Sequence, residues 1–319
     1  MAVYTQVSAE DMAAFLSRYS VGQLRSFKGI AEGVENSNYL VETETGRYIL
    51  TLYEKRVNPD DLPFFISLLD HLAGKGMPVP RAIADNDGMQ LQELAGKPAC
   101  LIEFLQGVSV TQPSSKQAMA AGASLAELHV AAADFKTRRP NSMGIASWNE
   151  MAAQCGDSLA HIHGELPDIV NSELAYLEQN WPEGLQHSII HADLFPDNVL
   201  MLGNQVKGVI DFYFSCTDIR AYDLAITHAA WCFSPNGEKF DRALSNALLN
   251  GYREHLEQDD AEIYAMHVLA RGAALRFTLS RAYDWINTPS DALVTRKNPM
   301  DFVRRLQFYR DPKNTVMFA

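Results

Sequence analysis

The sequence predicts an α+β chain in two lobes: a small antiparallel β-sheet with a packed helix over residues 1–106, then a mostly helical lobe over 107–319. Three observations predict it. Strand-like runs joined by short connections rich in Gly and Asn fill the first hundred or so residues. A polar stretch beginning at Gln106-Gly107 and ending at Pro113 follows the apolar Ile102-Glu103-Phe104-Leu105 directly, which is the texture of an interlobe hinge. Beyond Ser114, apolar residues recur at helical spacing almost to the end.

In order, Ser8-Ala-Glu-Asp11 ahead of Met12, Phe15, Leu16 and Tyr19 reads as a capped amphipathic helix. Residues 25–30, 37–43 and 48–53 then read as an antiparallel meander, turning first through Gly29, Gly33 and Asn36 and next through Glu44-Thr45-Gly46. The first connection, residues 29–38, can bring backbone N–H groups close to a phosphate chain because its glycines carry no Cβ. It is not a Walker A sequence, and a plain hairpin loop suits the same residues. Asn58-Pro59-Asp60-Asp61 starts a helix, with Asn as cap, Pro in the first turn and carboxylates at the positive dipole end. Residues 89–94 and 98–105 complete five strands. The main chain around Glu103 and Leu105 could meet a nucleotide base, though a central sheet strand with no ligand accounts for it equally.

Helices are expected over 115–133, 148–163, 169–181, from Ser234-Pro235 to about 255, 259–285 and 299–309. His129 ends the first and is expected to be structural; His161 and His163, at a spacing that shares no helix face, are expected to be solvated. Asp223, in Ala221-Tyr222-Asp223-Leu224, lies where a carboxylate favours the helix dipole and can anchor the preceding loop.

The chemistry concentrates in His191-Ala192-Asp193-Leu194-Phe195-Pro196-Asp197-Asn198 and in Ile210-Asp211-Phe212. The pattern H-x-D-x-x-x-x-N supplies a carboxylate, Asp193, able to deprotonate an attacking hydroxyl, and an amide oxygen, on Asn198, able to ligate Mg²⁺; Asp211 offers a second metal ligand. Residues 199–202 and 206–210, joined by Gly203-Asn204, read as a hairpin that returns Asp211 to Asn198. A single long strand would separate them by tens of ångströms. A polar turn holding a buried His–Asp pair would carry the same letters without the chemistry.

Composition bounds the alternatives. At 47% hydrophobic and 21% charged, with no apolar run of bilayer-spanning length, the chain reads as a globular protein that does not insert in a membrane. The first residues lack a basic segment followed by an apolar one, so no secretory signal is read and a cytoplasmic location is expected. Cys100, Cys155, Cys216 and Cys232 show no metal-site or disulfide spacing. A formal net charge of −12 would repel a phosphate backbone, which argues against nucleic acid as a partner.

Taken together, residues 29–38, Ile102–Gly107, Leu125-Ala-Glu-Leu-His129, His191–Asn198, Ile210-Asp211-Phe212 and Tyr222-Asp-Leu-Ala225 make the chain resemble the aminoglycoside phosphotransferase and choline kinase superfamily. Within it, Tyr48-Ile-Leu-Thr-Leu-Tyr-Glu54 and Asn58-Pro-Asp-Asp-Leu-Pro-Phe-Phe65 resemble the bacterial, kinase-like homoserine kinases. The resemblance implies a protein-kinase-like two-lobed fold, ATP and Mg²⁺ as cofactors, and phosphorylation of the L-homoserine hydroxyl. It implies Asp193 as base, His191 as support of the loop, Asn198 and Asp211 as metal ligands, and Gly29, Gly33, Asn36, Ser37, Asn38, Glu103 and Leu105 around the nucleotide. An amino-acid acceptor also needs a cation for its carboxylate, and His228, Arg276 and Arg281 are candidates, each of which could instead serve structure. One departure stands out: Thr51 holds the third-strand place where such kinases carry a phosphate-binding Lys or Arg, leaving Lys28, Arg47, Lys55 or Arg56 to substitute. Other acceptors (choline, which Tyr213, Trp231 and Trp285 could cage, a sugar or an aminoglycoside), a nucleotide-binding pseudokinase and a metal-dependent phosphohydrolase are the competing readings.

Overall fold

In the computed structural model, which describes residues 5–30, 36–54, 58–288 and 296–318, the chain divides into two units, Met1–Gln106 and Gly107–Ala319. The first opens with helix α1 (Ala9–Leu16), started by the Ser8 hydroxyl, which accepts from the Asp11 N–H at 3.0 Å. Its sheet comprises β1 (Leu24–Gly29), β2 (Ser37–Thr43), β3 (Arg47–Leu52), β4 (Gln92–Leu94) and β5 (Lys97–Glu103), ordered β1-β2-β3-β5-β4 with every pair antiparallel. Alternate side chains of β2 (Ser37, Tyr39, Val41 and Thr43) are buried. Val41, Leu50, Leu52, Ala99 and Leu101 form one apolar core with Met12, Phe15 and Leu16 of α1. Asn58 caps a 3₁₀ turn (Pro59–Asp61) that leads into α2 (Leu62–Gly74). The expected strand at 89–94 begins only at Gln92, because the Asp85 carboxylate accepts from the Asp87 and Met89 N–H groups and holds a turn there.

The second unit begins with α3 (Ser115–Ala131), entered by a capping box between Ser114 and Gln117. The helix expected over 148–163 is two, α4 (Ile145–Cys155) and α5 (Ser158–Ile162), because Gly156 at φ +48° breaks the path; α6 (Leu166–Asn180) follows. Strand β6 (His187–Ile190) runs into the His191–Asn198 segment. The hairpin of β7 (Val199–Leu202) and β8 (Gln205–Val209) returns the chain to Asp211, and β9 (Cys216–Ile219) then pairs antiparallel with β6. Four helices complete the unit: α7 (Arg220–Trp231), α8 (Arg242–Arg253), α9 (Asp260–Asn287) and α10 (Met300–Arg310). Helix α8 starts later than Ser234-Pro235 suggests, since Ser234 closes a turn onto Lys239 and the cap is Asp241, whose carboxylate accepts from Ala243 and Leu244. Helices α3 and α8 meet backbone to backbone at Gly122 and Gly251: a Cβ at either would stand 2.0 Å from a carbonyl oxygen of the other helix.

Candidate active site

The loop after β6 is held through its main chain. Ala192 sits at φ +63° and Asp211 at φ +68°, left-handed conformations that cost a non-glycine residue roughly 1–2 kcal/mol each. Asp223, fully buried in the first turn of α7, accepts from the N–H of His191 at 2.6 Å and of Ala192 at 2.8 Å, and is bonded to His129 Nε2 at 3.1 Å. Burial would raise the Asp223 carboxyl, but the His129 bond and the charges and N–H groups around it outweigh burial and hold it below its usual range. His129 Nδ1 is in turn bonded to the Tyr252 hydroxyl at 2.9 Å. On the other side, Trp231 donates to the Leu194 carbonyl at 2.9 Å and Arg276 to the Ala192 carbonyl at 2.5 Å. The Phe195 ring packs on Phe277 and Phe302. The loop is thus gripped directly from α7, α9 and α10, with His129 of α3 supporting Asp223 from behind.

His191 is fully buried and both ring nitrogens are occupied. Nδ1 accepts from the Asp193 N–H at 3.2 Å and Nε2 faces the Ile210 carbonyl at 3.0 Å, so the proton must reside on Nε2. Burial pushes its pKa down and keeps the ring neutral. With its ring in contact with Phe212, His191 ties the Asp193 loop to the Asp211 loop. Its place is a strut between them.

Asn198 Nδ2 donates to the Asp193 carbonyl at 2.8 Å and to the Asp193 carboxylate at 3.1 Å. Because both acceptors belong to Asp193, the amide nitrogen must face that residue, and the amide oxygen has no partner among the described residues. The Ile210 N–H donates to the Asn198 carbonyl at 3.0 Å, so the hairpin closes where sequence spacing requires and sets Asp211 beside Asn198. Burial and then the neighbouring Asp211 raise Asp193 well above the usual carboxylate range. Asp211, although its side chain is open to solvent, is pushed up to about 6, first because the surrounding protein displaces water from it and then by Asp197.

No Lys or Arg lies within ion-pair distance of Asp193 or Asp211 among the described residues, and no group of three His, Cys, Asp or Glu gathers there. Two mutually repelling carboxylates and one unpartnered amide oxygen fit a divalent cation that takes its remaining ligands from phosphates and water, as Mg²⁺ does.

The other predicted residues separate into groups. His228 is fully buried, bonded to the Tyr309 hydroxyl at 2.7 Å and the Ser245 hydroxyl at 2.8 Å, and ringed by Phe233, Phe240 and Phe318. It is a core histidine, which corrects its expected place at the substrate. Arg276, 1% exposed, is likewise withdrawn from substrate by its bond to the loop. Arg281 differs: its Nη1 bonds the Asn298 carbonyl and Asp301, its other N–H groups have no acceptor among the described residues, and its charge is felt by Asp193 and Asp197. Trp231 is buried under the loop and is unavailable to cage an ammonium. Lys297 pairs with Asp197 at 3.6 Å.

In the first unit, Gly29 ends β1 opposite Tyr39, and the Ile30 N–H donates to the Asn38 carbonyl at 2.8 Å. Gly33 lies outside the described residues, as do Lys55 and Arg56. The side chains that follow are bound within the sheet. Asn36 Oδ1 accepts from the Glu54 N–H, the Ser37 hydroxyl donates to the Glu54 carboxylate at 2.8 Å, and Asn38 Oδ1 accepts from the Thr51 hydroxyl at 2.7 Å. Thr51 therefore fills its position as a neutral strut inside the sheet. The Lys97 ammonium pairs with Glu54 at 3.2 Å, Arg47 lies over the Phe104 ring, and Lys28 is exposed. Glu103 is pinned by main-chain and side-chain bonds to residue 81, whereas Leu105, just past the strand, has both main-chain groups without a partner among the described residues.

Sequence reasoning missed the grip of Arg276, Trp231 and Tyr252 on this centre. A buried-type Arg in the otherwise small and apolar run Gly272-Ala-Ala-Leu-Arg276-Phe-Thr was the available signal.

Fold and site define a kinase-type phosphotransferase. The amicoumacin kinase hAmiN, solved in complex with AMP-PNP, Ca²⁺ and Ami, superposes with a TM-score of 0.73 at 16% identity over 95% of this chain and 93% of its own. The chain belongs to the phosphotransferase enzyme family, whose model matches residues 26–257. It is 52% identical over 313 residues to a homoserine kinase of Zymomonas mobilis subsp. mobilis, covering 98% of each chain, and 49% identical over 310 residues to a homoserine kinase of Xanthobacter autotrophicus, covering 97% of this chain and 96% of that one.

Proposed function

We propose that the protein transfers the γ-phosphoryl group of ATP to the side-chain hydroxyl of L-homoserine, giving O-phospho-L-homoserine in threonine biosynthesis in the cytoplasm. The observation that carries the chemistry is the Asp193–Asn198 contact beside Asp211, locked by His191. Full-length identity near one half to homoserine kinases carries the acceptor. Asp193 accepts the hydroxyl proton as the oxygen forms its bond to the γ-phosphorus and the bond to the ADP oxygen breaks. Its raised basicity favours that task. Asn198 and Asp211 would hold Mg²⁺, which would supply positive charge against the charge that develops on the phosphates. Around the nucleotide, the 29–38 connection contributes backbone N–H groups, since Asn36, Ser37 and Asn38 commit side-chain atoms to the sheet. The open main-chain groups of Leu105 offer hydrogen bonds to the base.

For the acceptor, Arg281 is the cation best placed to meet the α-carboxylate, with free donors on a guanidinium already held by Asp301. ADP release measured with ATP and Mg²⁺ over homoserine, choline, ethanolamine and an aminoglycoside tests the assignment. Homoserine is expected to give the highest kcat/KM by a wide margin. Turnover of choline equal to that of homoserine, or phosphate release without any acceptor alcohol at the same rate, overturns it.

A further inference from the structure

The guanidinium of Arg276 is placed where a substrate-binding or surface arginine would not be. It is 1% exposed, in the middle of α9, and it makes no ion pair among the described residues. Its Nη1 donates to the carbonyl of Ala192, the residue between His191 and Asp193 that is held at φ +63°. Its plane also lies against Phe214, 5.2 Å from the ring centroid, in the 3₁₀ turn Phe212–Phe214 that follows Asp211, and against Phe277 at 4.7 Å. One side chain, 84 residues from Ala192 in sequence, therefore touches both the loop that carries Asp193 and the turn that follows Asp211. Burying an arginine without a partner carboxylate is costly, and a hydrophobic residue of similar volume would pack there at lower cost.

We propose that Arg276 is a positioning residue for the phosphoryl transfer: it clamps the Ala192 carbonyl so that Asp193 keeps a fixed orientation relative to Asp211. Asp223 fixes the N–H of Ala192 from one side and Arg276 fixes its carbonyl from the other. With both ends of the residue held, the left-handed turn has no freedom to relax and swing the Asp193 carboxylate. This inference rests on the reading of Asp193 as the base.

The test compares Arg276→Ala, Arg276→Met and Arg276→Lys in the full chain, by kcat, by KM for ATP and homoserine, and by melting temperature. A base displaced by about an ångström costs on the order of 10²-fold in rate. Arg276→Ala and Arg276→Met are expected to lose kcat on that scale with both KM values within about threefold of the parent, the pattern of an interaction used in the transition state. Arg276→Lys is expected to lose less, and guanidinium chloride below denaturing concentrations to restore turnover to Arg276→Ala but not to Arg276→Met, whose side chain fills the space. A folded Arg276→Met with parental kcat overturns the proposal, as does an Arg276→Lys no faster than Arg276→Met at equal melting temperature. If Arg276→Ala fails to fold, the Lys and Met pair decides. Asp193→Asn assayed in parallel separates the two claims: parental turnover there removes Asp193 as base, whereas guanidinium rescue reports on the Arg276 contact itself.

Discussion

At the scale of single residues, the site is an argument about which atoms remain free. His191 spends both nitrogens on the protein, and Asn198 spends its amide nitrogen on Asp193, so what remains for chemistry is the Asp193 carboxylate, the Asn198 amide oxygen and the Asp211 carboxylate. Replacing Asp193 by Asn is expected to lower kcat by on the order of 10²–10⁴-fold, measured by ADP release, without lowering the melting temperature, because it also removes a repulsion with Asp211. As the proposed base, Asp193 must be ionised to act, and its pKa is raised. The acid limb of kcat/KM is expected above the usual carboxylate range, with activity lost as pH falls through it; a limb near pH 4 would count against a raised Asp193. Asp223 works through bonds to main chain and to His129. Asp223→Ala strips three buried partners at once and should cost about 3–5 kcal/mol by denaturant unfolding, with activity lost alongside stability.

At the scale of elements, the hairpin and two helices do the positioning. The β7–β8 turn converts a sequence separation from Asn198 to Asp211 into adjacency, and its register is fixed by the Ile210 to Asn198 bond. Helix α7 brings Asp223 and Trp231, and α9 brings Arg276 and Phe277. The α3–α8 crossing holds His129 and Tyr252 against that centre, and it exists only because Gly122 and Gly251 admit the backbones to contact. Gly251→Ala would press a methyl into the Met119 carbonyl with no side chain able to yield. It should destabilise by about 1–3 kcal/mol or more and lower the melting temperature by several degrees. Because His129 and Asp223 sit downstream of that contact, a residual folded fraction should also show reduced kcat.

At the scale of the molecule, the site gathers unfavourable charge that a divalent cation bound there would relieve. Asp211 has a folded pKa of about 6 against an ordinary value near 4. Between those values the folded state binds more protons than the unfolded one, so this group costs stability progressively as pH rises from about 4 to about 6, and the cost is complete above that. Solvent reaches Asp211, so the sign is the prediction. Mg²⁺ with a nucleotide should raise the melting temperature more at pH 7.5 than at about pH 5, and EDTA should abolish turnover; equal stabilisation at both pH values would count against Asp211 as a ligand. The charge of −12 does not oppose nucleotide binding if the field at the site is set by that ion and by backbone N–H groups.

The sequence by itself carried the mixed architecture and most of its strands and helices, and it put forward Asp193, Asn198 and Asp211 as site candidates. Each of those rests on local information: periodicity, caps, turn residues, and a motif whose members lie within one loop and one hairpin. Where local chemistry was misread, a short-range bond had won, as with Asp85 delaying β4 and Asp241 rather than Ser234 starting α8. Tertiary structure alone decided which histidines and arginines serve the site. His129 meets Asp223 across 94 residues, Tyr252 meets His129 across 123 and Arg276 meets Ala192 across 84, and nothing in the spacing of such residues encodes the encounter. His228, a substrate candidate by composition, lies instead among aromatic rings with both nitrogens satisfied. The physical reason is that a buried polar group is defined by its partners, and partners are set by how the helices pack.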